Sequence, residues 1–349
     1  MKIFLINGSP RGQNSNSLKL SYAFINGIKN ISKDKIELRE ATLSKQNIQS
    51  CKGCFACWKS TPGKCCIQDN MEQIIENQLW ADLIIFSFPL YYSNVPGILK
   101  NMIDRQLPMN LPFMSDRTDG YGNGCHEQRY DLTNKKYVLI STCGFFTAEG
   151  NYDSVISMFN HTLGKNNFET IFCGQGELFS KKELFAKTNE YLLKVEKAGK
   201  EFFTDNKISS QTKKQLEELL FTKEVFEKMA DASWGIDKNQ SDNSQNDESK
   251  IFTKQMAALY NPQNYDGKDR VLEMYYTDIN KTYQIILTAN GSEFLENSDR
   301  KFTTKIETPF STWVAISRGE INGMKALITG KYKVLGDITL MMKWSKLFG

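Results

Sequence analysis

Ile3-Phe4-Leu5-Ile6-Asn7-Gly8-Ser9-Pro10-Arg11-Gly12-Gln13-Asn14-Ser15-Asn16-Ser17 is the stretch that decides the fold of this chain. Its first four residues are continuously apolar, as in a strand buried on both faces of a parallel sheet. A glycine- and hydroxyl-rich turn follows, and Leu18, Tyr22 and Ile25 then begin a helical apolar rhythm. A strand that feeds a helix through such a turn offers an anion free backbone N–H groups and the positive end of the helix dipole. The loop lacks the Gly-Lys-Ser/Thr ending of a nucleoside triphosphate site and the Gly-x-Gly-x-x-Gly of a dinucleotide site. Ser9, Ser15, Ser17, Asn14 and Asn16 are neutral donors suited to a terminal phosphate monoester, with Arg11 as a charge partner. That chemistry fits flavin mononucleotide (FMN). The plainer alternative is a βα turn with serine as the helix N-cap.

Working outward, Lys35 to Ala41, Leu83 to Phe86, Tyr137 to Ile140 and Phe168 to Cys173 read as four further strands. Helical patterns around Met71–Leu79, Gly97–Arg105, Tyr152–Leu163 and Lys181–Phe203 alternate with them. Alternating β and α elements predict a doubly wound parallel sheet of five strands, with its ligand beyond the carboxyl ends of the strands. Two more strand ends should flank that crevice: Pro89-Leu90-Tyr91-Tyr92-Ser93-Asn94 and Thr142-Cys143-Gly144-Phe145-Phe146. Aromatics and backbone amides there suit a planar ring with apolar faces and a polar rim; each aromatic read singly could equally be packing.

Residues 1 to about 205 resemble the NADPH-dependent FMN reductase branch of the flavodoxin-like superfamily. Gly8-Ser9-Pro10-Arg11, Pro89-Leu90-Tyr91-Tyr92, Leu99-Lys100-Asn101-Met102-Ile103-Asp104-Arg105 and Thr142-Cys143-Gly144-Phe145 carry the resemblance. It implies that Ser9, Arg11, Ser15, Asn16 and Ser17 hold the FMN phosphate. It also implies that Pro89, Leu90, Tyr91, Tyr92, Ser93 and Asn94, with Thr142, Cys143, Gly144 and Phe145, contact the ring. Lys100, Asp104 and Arg105 read equally well as helix caps or a surface ion pair of little energetic worth.

The chain has 8 cysteines, and five lie together as Cys51-x2-Cys54-x2-Cys57-x7-Cys65 with Cys66 adjacent. The start shows no secretory signal, and no apolar run approaches the roughly 20 residues needed to span a bilayer. A cytoplasmic protein with reduced thiols is therefore expected. Compact CxxCxxC runs offer several thiolates to one centre, whereas a structural zinc site usually has two separated pairs. The spacing resembles that of iron-sulfur flavoproteins, which implies a four-iron four-sulfur (4Fe-4S) cluster held by Cys51, Cys54, Cys57 and Cys65. Free or redox-active thiols and zinc remain the alternatives. Cys173 reads as a small core residue. His126 and His161 make no metal or triad spacing, and His126 lies in a glycine-punctuated insertion, Pro108–Arg129, of the kind that forms lids or dimer contacts.

At 349 residues the chain exceeds one such domain. Lys213 to Met229 reads as an amphipathic helix, and from Gly235 to Lys250 only Ile236 is apolar, which predicts a flexible linker. Residues 206–249 are thus read as helix and linker, separating 1–205 from a third segment, 250–349. There Arg270–Thr277, Lys281–Thr288 and Lys301–Thr308 are strand-like, and Met256, Leu259 and Tyr260 belong to a preceding helix. Trp313…Gly319-Glu320 and Gly330-Lys331…Gly336-Asp337 resemble the sterol carrier protein type 2 family. That resemblance implies a smaller α+β domain with an apolar lipid tunnel, walled by Met341, Met342, Trp344 and Leu347; an ordinary core helix is the alternative for those four. The net charge of +4 is too mild to imply nucleic acid.

Together these features predict an FMN-dependent oxidoreductase, with NAD(P)H as co-substrate and a flavin, quinone or redox protein as acceptor, and a homo-oligomeric assembly. A ferredoxin-fed electron carrier and a redox-sensing lipid-binding protein are the alternatives.

Overall fold

The structure, a computed structural model, describes residues 1–122, 124–234 and 247–348. The polar linker expected from Gly235 falls largely outside the described residues. The described chain forms two compact units, Met1–Lys181 with Ala186–Leu220, and Lys182–Phe185 with Phe221–Gly349.

In the first unit, β1 (Lys2–Asn7) leads to α1 (Asn16–Ile31), β2 (Glu37–Thr42), α2 (Met71–Trp80), β3 (Leu83–Pro89) and α3 (Gly97–Asp104). A hairpin of β4 (Asn110–Ser115) and β5 (Cys125–Gln128) precedes β6 (Lys136–Thr142), α4 (Asp153–Leu163), β7 (Glu169–Cys173), α5 (Phe185–Asp205) and α6 (Ser210–Glu217). The main sheet has the order β2-β1-β3-β6-β7, and every pairing is parallel. This is the expected doubly wound, five-stranded flavodoxin-like arrangement. The strand order reverses between β1 and β3, so the crevice opens beyond their carboxyl ends.

Ile3, Phe4, Leu5 and Ile6 are each 0% exposed, because β1 is central and covered on both faces. Phe4, Ile6, Ile84, Phe86 and Leu139 pack against Met71 and Ile74 of α2, Leu99 and Met102 of α3, and Phe159 of α4. The alternate residues point to the opposite face. There α1 crosses α5 with backbone against backbone. A Cβ on Gly27 would lie 2.0 Å from the Glu196 carbonyl oxygen, and one on Gly199 would lie 2.0 Å from that of Phe24. This contact fixes the helix whose N-terminus meets the crevice.

The helix expected over Lys213–Met229 is two helices, α6 and α7 (Lys223–Trp234). The insertion Pro108–Arg129 contains the β4–β5 hairpin, which the glycine pattern alone does not indicate.

In the second unit α7 and α8 (Glu248–Ala258) pack together. Next come β8 (Arg270–Tyr276), β9 (Lys281–Thr288), β10 (Gly291–Glu296), β11 (Thr304–Thr308), α9 (Phe310–Ser317), α10 (Gly323–Ile328), β12 (Lys333–Gly336), α11 (Thr339–Met342) and α12 (Trp344–Leu347). The mixed sheet runs β10-β9-β8-β11-β12, with β8 and β11 parallel and the other pairs antiparallel. The edge strands β10 and β12 complete the three strands expected from sequence. Trp313, Leu340 and Leu347 are buried in the same core as Leu272, Met274 and Ile285. Trp344 stacks on Phe348 and packs edge-on against Trp313, so it serves as core, while Met342 is exposed. Among the described residues no helix is long and apolar enough to cross a membrane.

Candidate functional site

The first loop is shaped by its own side chains. Asn7 donates its amide to the Gly12 carbonyl at 2.9 Å and accepts the Ser9 N–H at 3.1 Å. Gly12 adopts φ +56°, a left-handed conformation that glycine takes without strain. Pattern reading misses this part of Asn7 in shaping the loop, since it reads as the last residue of a strand.

The three serines differ in their bonding. Ser9 Oγ accepts the Arg11 N–H at 3.2 Å, and Ser15 Oγ caps α1 by accepting the Leu18 N–H at 3.4 Å. Each hydroxyl therefore still has its proton to donate. The N–H groups of Asn16 and Ser17, in the first turn of α1, have no acceptor within the helix. Ser17 is bonded differently. Its hydroxyl donates to the Phe88 carbonyl at 2.9 Å and meets Thr142 Oγ1 at 2.8 Å, so its one proton is already used. Asn16 likewise gives its amide to the Gly176 carbonyl at 2.8 Å. Arg11 forms an ion pair with Glu177 at 3.0 Å, which raises the guanidinium pKa further.

Those bonds bring the three expected strand ends together. Pro89 pairs with Thr142, Leu90 N–H donates to the Thr142 carbonyl at 2.9 Å, and Ser17 bridges both segments. Tyr91 and Asn94 exchange backbone bonds of 2.9 and 3.0 Å around Tyr92 and Ser93, whose φ values are +48° and +62°. Two consecutive left-handed non-glycine residues make a strained tight turn. Val95 N–H closes on the Asn94 side chain at 2.8 Å, and Ser154 Oγ donates to the Ser93 carbonyl. The turn holds the Tyr92 ring fully out of the protein and leaves Tyr91 part-exposed. Opposite them, a Cβ added at Gly144 would meet nothing within 4 Å, and the Phe145 ring is exposed. Burial pushes the Cys143 thiol pKa up, that thiol points at the Thr147 carbonyl, and the residue's backbone N–H and carbonyl are bonded to Cys173 and Gly176.

The cysteine loop joins β2 to α2. Gly53 and Phe55 sit at φ +61° and +55°, which curls the run. Cys51, Cys54, Cys57, Cys65 and Cys66 line one hollow with Phe55, Ile67 and Arg105. Cys57 is buried, and Cys54 Sγ lies 3.6 Å from Cys66 Sγ. Among the described residues no three Cys, His, Asp or Glu side chains converge closely enough to hold a single metal ion. All eight cysteines are free.

The loop is framed from outside. Trp58 Nε1 donates to the Leu107 and Asn110 carbonyls at 3.2 and 3.0 Å, and its ring packs 4.7 Å from that of His126 on the hairpin. Arg105, in place of a surface ion pair, is 1% exposed and binds Asp69 through two bonds of 2.7 and 3.0 Å. The surface pair at this helix end is Lys100 with Asp104. α3 has 8 residues. It is therefore about 12 Å long, and it links the Tyr91–Asn94 turn to the cysteine hollow.

Residues 1–185 match the family described as flavodoxin-like fold, and residues 255–349 match the SCP-2 sterol transfer family. An iron-sulfur flavoprotein of Archaeoglobus fulgidus is 31% identical over 165 residues, covering 47% of this chain and 70% of that protein. Another iron-sulfur flavoprotein, from Methanocaldococcus jannaschii, is 40% identical over 106 residues, 30% of this chain. This chain spans only 50% of that relative's length. Among solved structures, the FMN-dependent NADH-azoreductase of Bacillus anthracis, in complex with FMN, is similar with 16% identity and a TM-score of 0.41, over 59% of this chain and 99% of that one.

Proposed function

We propose, on the premise that this chain belongs to the flavodoxin-like family and groups with its iron-sulfur flavoproteins, that it is an FMN-dependent oxidoreductase drawing electrons from NAD(P)H. The observation that carries this is the convergence of the first loop with the ends of β3 and β6 at the switch in strand order. The residues fit the cofactor. Ser9 and Ser15 have hydroxyl protons to give to its phosphate, with the first-turn N–H groups of α1 beside them. The exposed Tyr92, Phe145 and the open backbone at Gly144 suit a flat ring. When bound, FMN supplies the acceptance of hydride and the onward release of electrons. The chain's own part is to hold the phosphate, orient the ring between two strand ends and shield one side of it from water. Ser17 and Asn16 serve by pinning the loops to one another.

The cysteine loop extends the same function. Its all-thiol donor set, gathered around one hollow, fits a 4Fe-4S cluster held by Cys51, Cys54, Cys57 and Cys65, and the iron-sulfur relatives support that reading. Such a cluster supplies single-electron relay. The loop also favours, as the second reading, a carrier that takes electrons from ferredoxin. For the C-terminal unit the SCP-2 match supports a lipid-binding role.

Protein purified without oxygen and with ample iron tests the assignment. FMN, iron and acid-labile sulfide should co-purify, and Cys54→Ser should lose iron and sulfide while keeping FMN. Flavin with neither iron nor sulfide in the wild type would return the cysteines to thiols. Reduction by ferredoxin without any NAD(P)H turnover would favour the carrier.

A further inference from the structure

Arg105 lies at the far end of α3 from the ring-side turn, and its side chain is completely buried, as is that of Asp69. Nη1 donates to Asp69 Oδ2 at 2.7 Å and to the Gln49 carbonyl at 2.7 Å. Nη2 donates to Asp69 Oδ1 at 3.0 Å and, weakly, to the Ile67 carbonyl at 3.5 Å. Asp69 completes its four acceptor positions with the N–H groups of Gln49 and Met71, at 2.9 and 3.1 Å. The carboxylate is therefore saturated, and it grips the guanidinium end-on.

One donor remains. Arg105 Nε is buried and has no hydrogen-bond partner among the protein's groups. A buried unpaired N–H costs stability unless something accepts it. Arg105 lines the same hollow as the five clustered cysteines, Cys65 among them. The ion pair also ties Gln49, before the first cysteine, to Ile67 and Asp69, after the last. Both ends of the cysteine loop are thus closed on one arginine.

We infer that Arg105 is the positioning and tuning residue of the cysteine-bound cluster, presenting its free Nε–H and its positive charge to the cluster on the Cys65 side. This rests on the cluster assignment above. An electron added to a cluster increases its negative charge. A nearby cation and an N–H aimed at sulfur therefore stabilise the reduced form more than the oxidised one, and the potential rises. Asp69 offsets part of that charge, but its oxygens bind the Nη edge of the guanidinium, so the Nε–H and the positive end of the pair lie on the other edge.

The test uses the full-length protein, purified without oxygen with its flavin and metal. Replacing Arg105 alone would strand a buried carboxylate, so the informative variant is the pair Arg105→Gln with Asp69→Asn, accompanied by Arg105→Lys. Iron and sulfide per FMN, and the cluster midpoint from a redox titration followed by electron paramagnetic resonance, are the readouts. The double variant should retain its FMN and reduce about tenfold less readily, a midpoint lower by about 59 mV for one electron. Arg105→Lys, which keeps the charge but loses the Nε–H, should fall between the two. Wild-type iron content with an unchanged midpoint in both variants would overturn the inference while leaving the cluster standing. Absence of iron and sulfide from the wild type itself would overturn the cluster assignment and this inference with it.

Discussion

Ser9, Ser15 and Ser17 present the same hydroxyl to three different neighbours, and their substitutions should separate accordingly. On the proposed FMN site, Ser9→Ala with Ser15→Ala removes two bonds to a charged phosphate, each worth about 1.5–3 kcal/mol. Equilibrium dialysis should show FMN affinity weakened by roughly two to four orders of magnitude, with the melting temperature of the flavin-free protein changed far less. Ser17→Ala should do the opposite. It orphans groups on β3 and β6 and should cost about 1–3 kcal/mol of stability, with flavin affinity moved only a few-fold. Equal losses of affinity from both changes would return Ser17 to the phosphate. Sequence shows that this loop is rich in donors. It does not show which donors are already engaged, because the partners of Ser17 lie 71 and 125 residues away. Arg105 hides for the same reason. Beside Asp104 it reads as a surface charge, and only the return of the chain at Asp69, 36 residues earlier, buries it.

Elements follow the same logic one scale up. β1, β3 and β6 are legible because buried parallel strands are apolar throughout, and α1 because its apolar face recurs at helical spacing. The edge strands β10 and β12 and the β4–β5 hairpin are not legible, since a half-exposed strand carries few apolar residues and is defined by its partner. The start of α8 is a clear case of local chemistry overriding composition. Asp247, Glu248 and Ser249 are as polar as the residues before them, yet Asp247 caps the helix by accepting the N–H groups of Ser249 and Lys250 at 3.1 and 3.2 Å. It also binds Lys281 at 2.5 Å and Tyr283 at 2.9 Å. Burial would raise its pKa, but these partners outweigh burial and hold it below the usual carboxylate range. Its folded pKa is thus lower than its unfolded value of about 3.9. The stabilisation it gives is present above that pH and disappears as the pH falls towards the folded value. Asp247→Ala should cost about 1 kcal/mol at neutral pH. Melting temperatures of variant and wild type should converge as the pH drops below about 4. A pH-independent gap would assign the effect to the cap alone.

At the scale of the molecule, composition separates two cores, and the structure groups Phe221 onwards with the C-terminal unit. Residues 235–246 contain a single apolar side chain, Ile236, so limited proteolysis should cut there first. A fragment beginning at Phe221 should melt cooperatively and at a higher temperature than one beginning at Lys250, which lacks the Asp247 cap and the Ser249 hydroxyl bonded to Tyr283 at 3.0 Å. An unfolded fragment by circular dichroism would mean that the unit depends on the rest of the chain. A folded fragment that ignores fluorescent acyl and sterol probes would keep the domain and remove its lipid role. For the whole protein, the most direct measurement is the visible spectrum of the oxygen-free protein before and after one equivalent of NADH or NADPH. One FMN per chain, bleached within the mixing time of a turnover experiment by at least one of the two nucleotides, is the predicted result. A chain that binds no flavin, or bound flavin that neither nucleotide reduces, would contradict the proposed function.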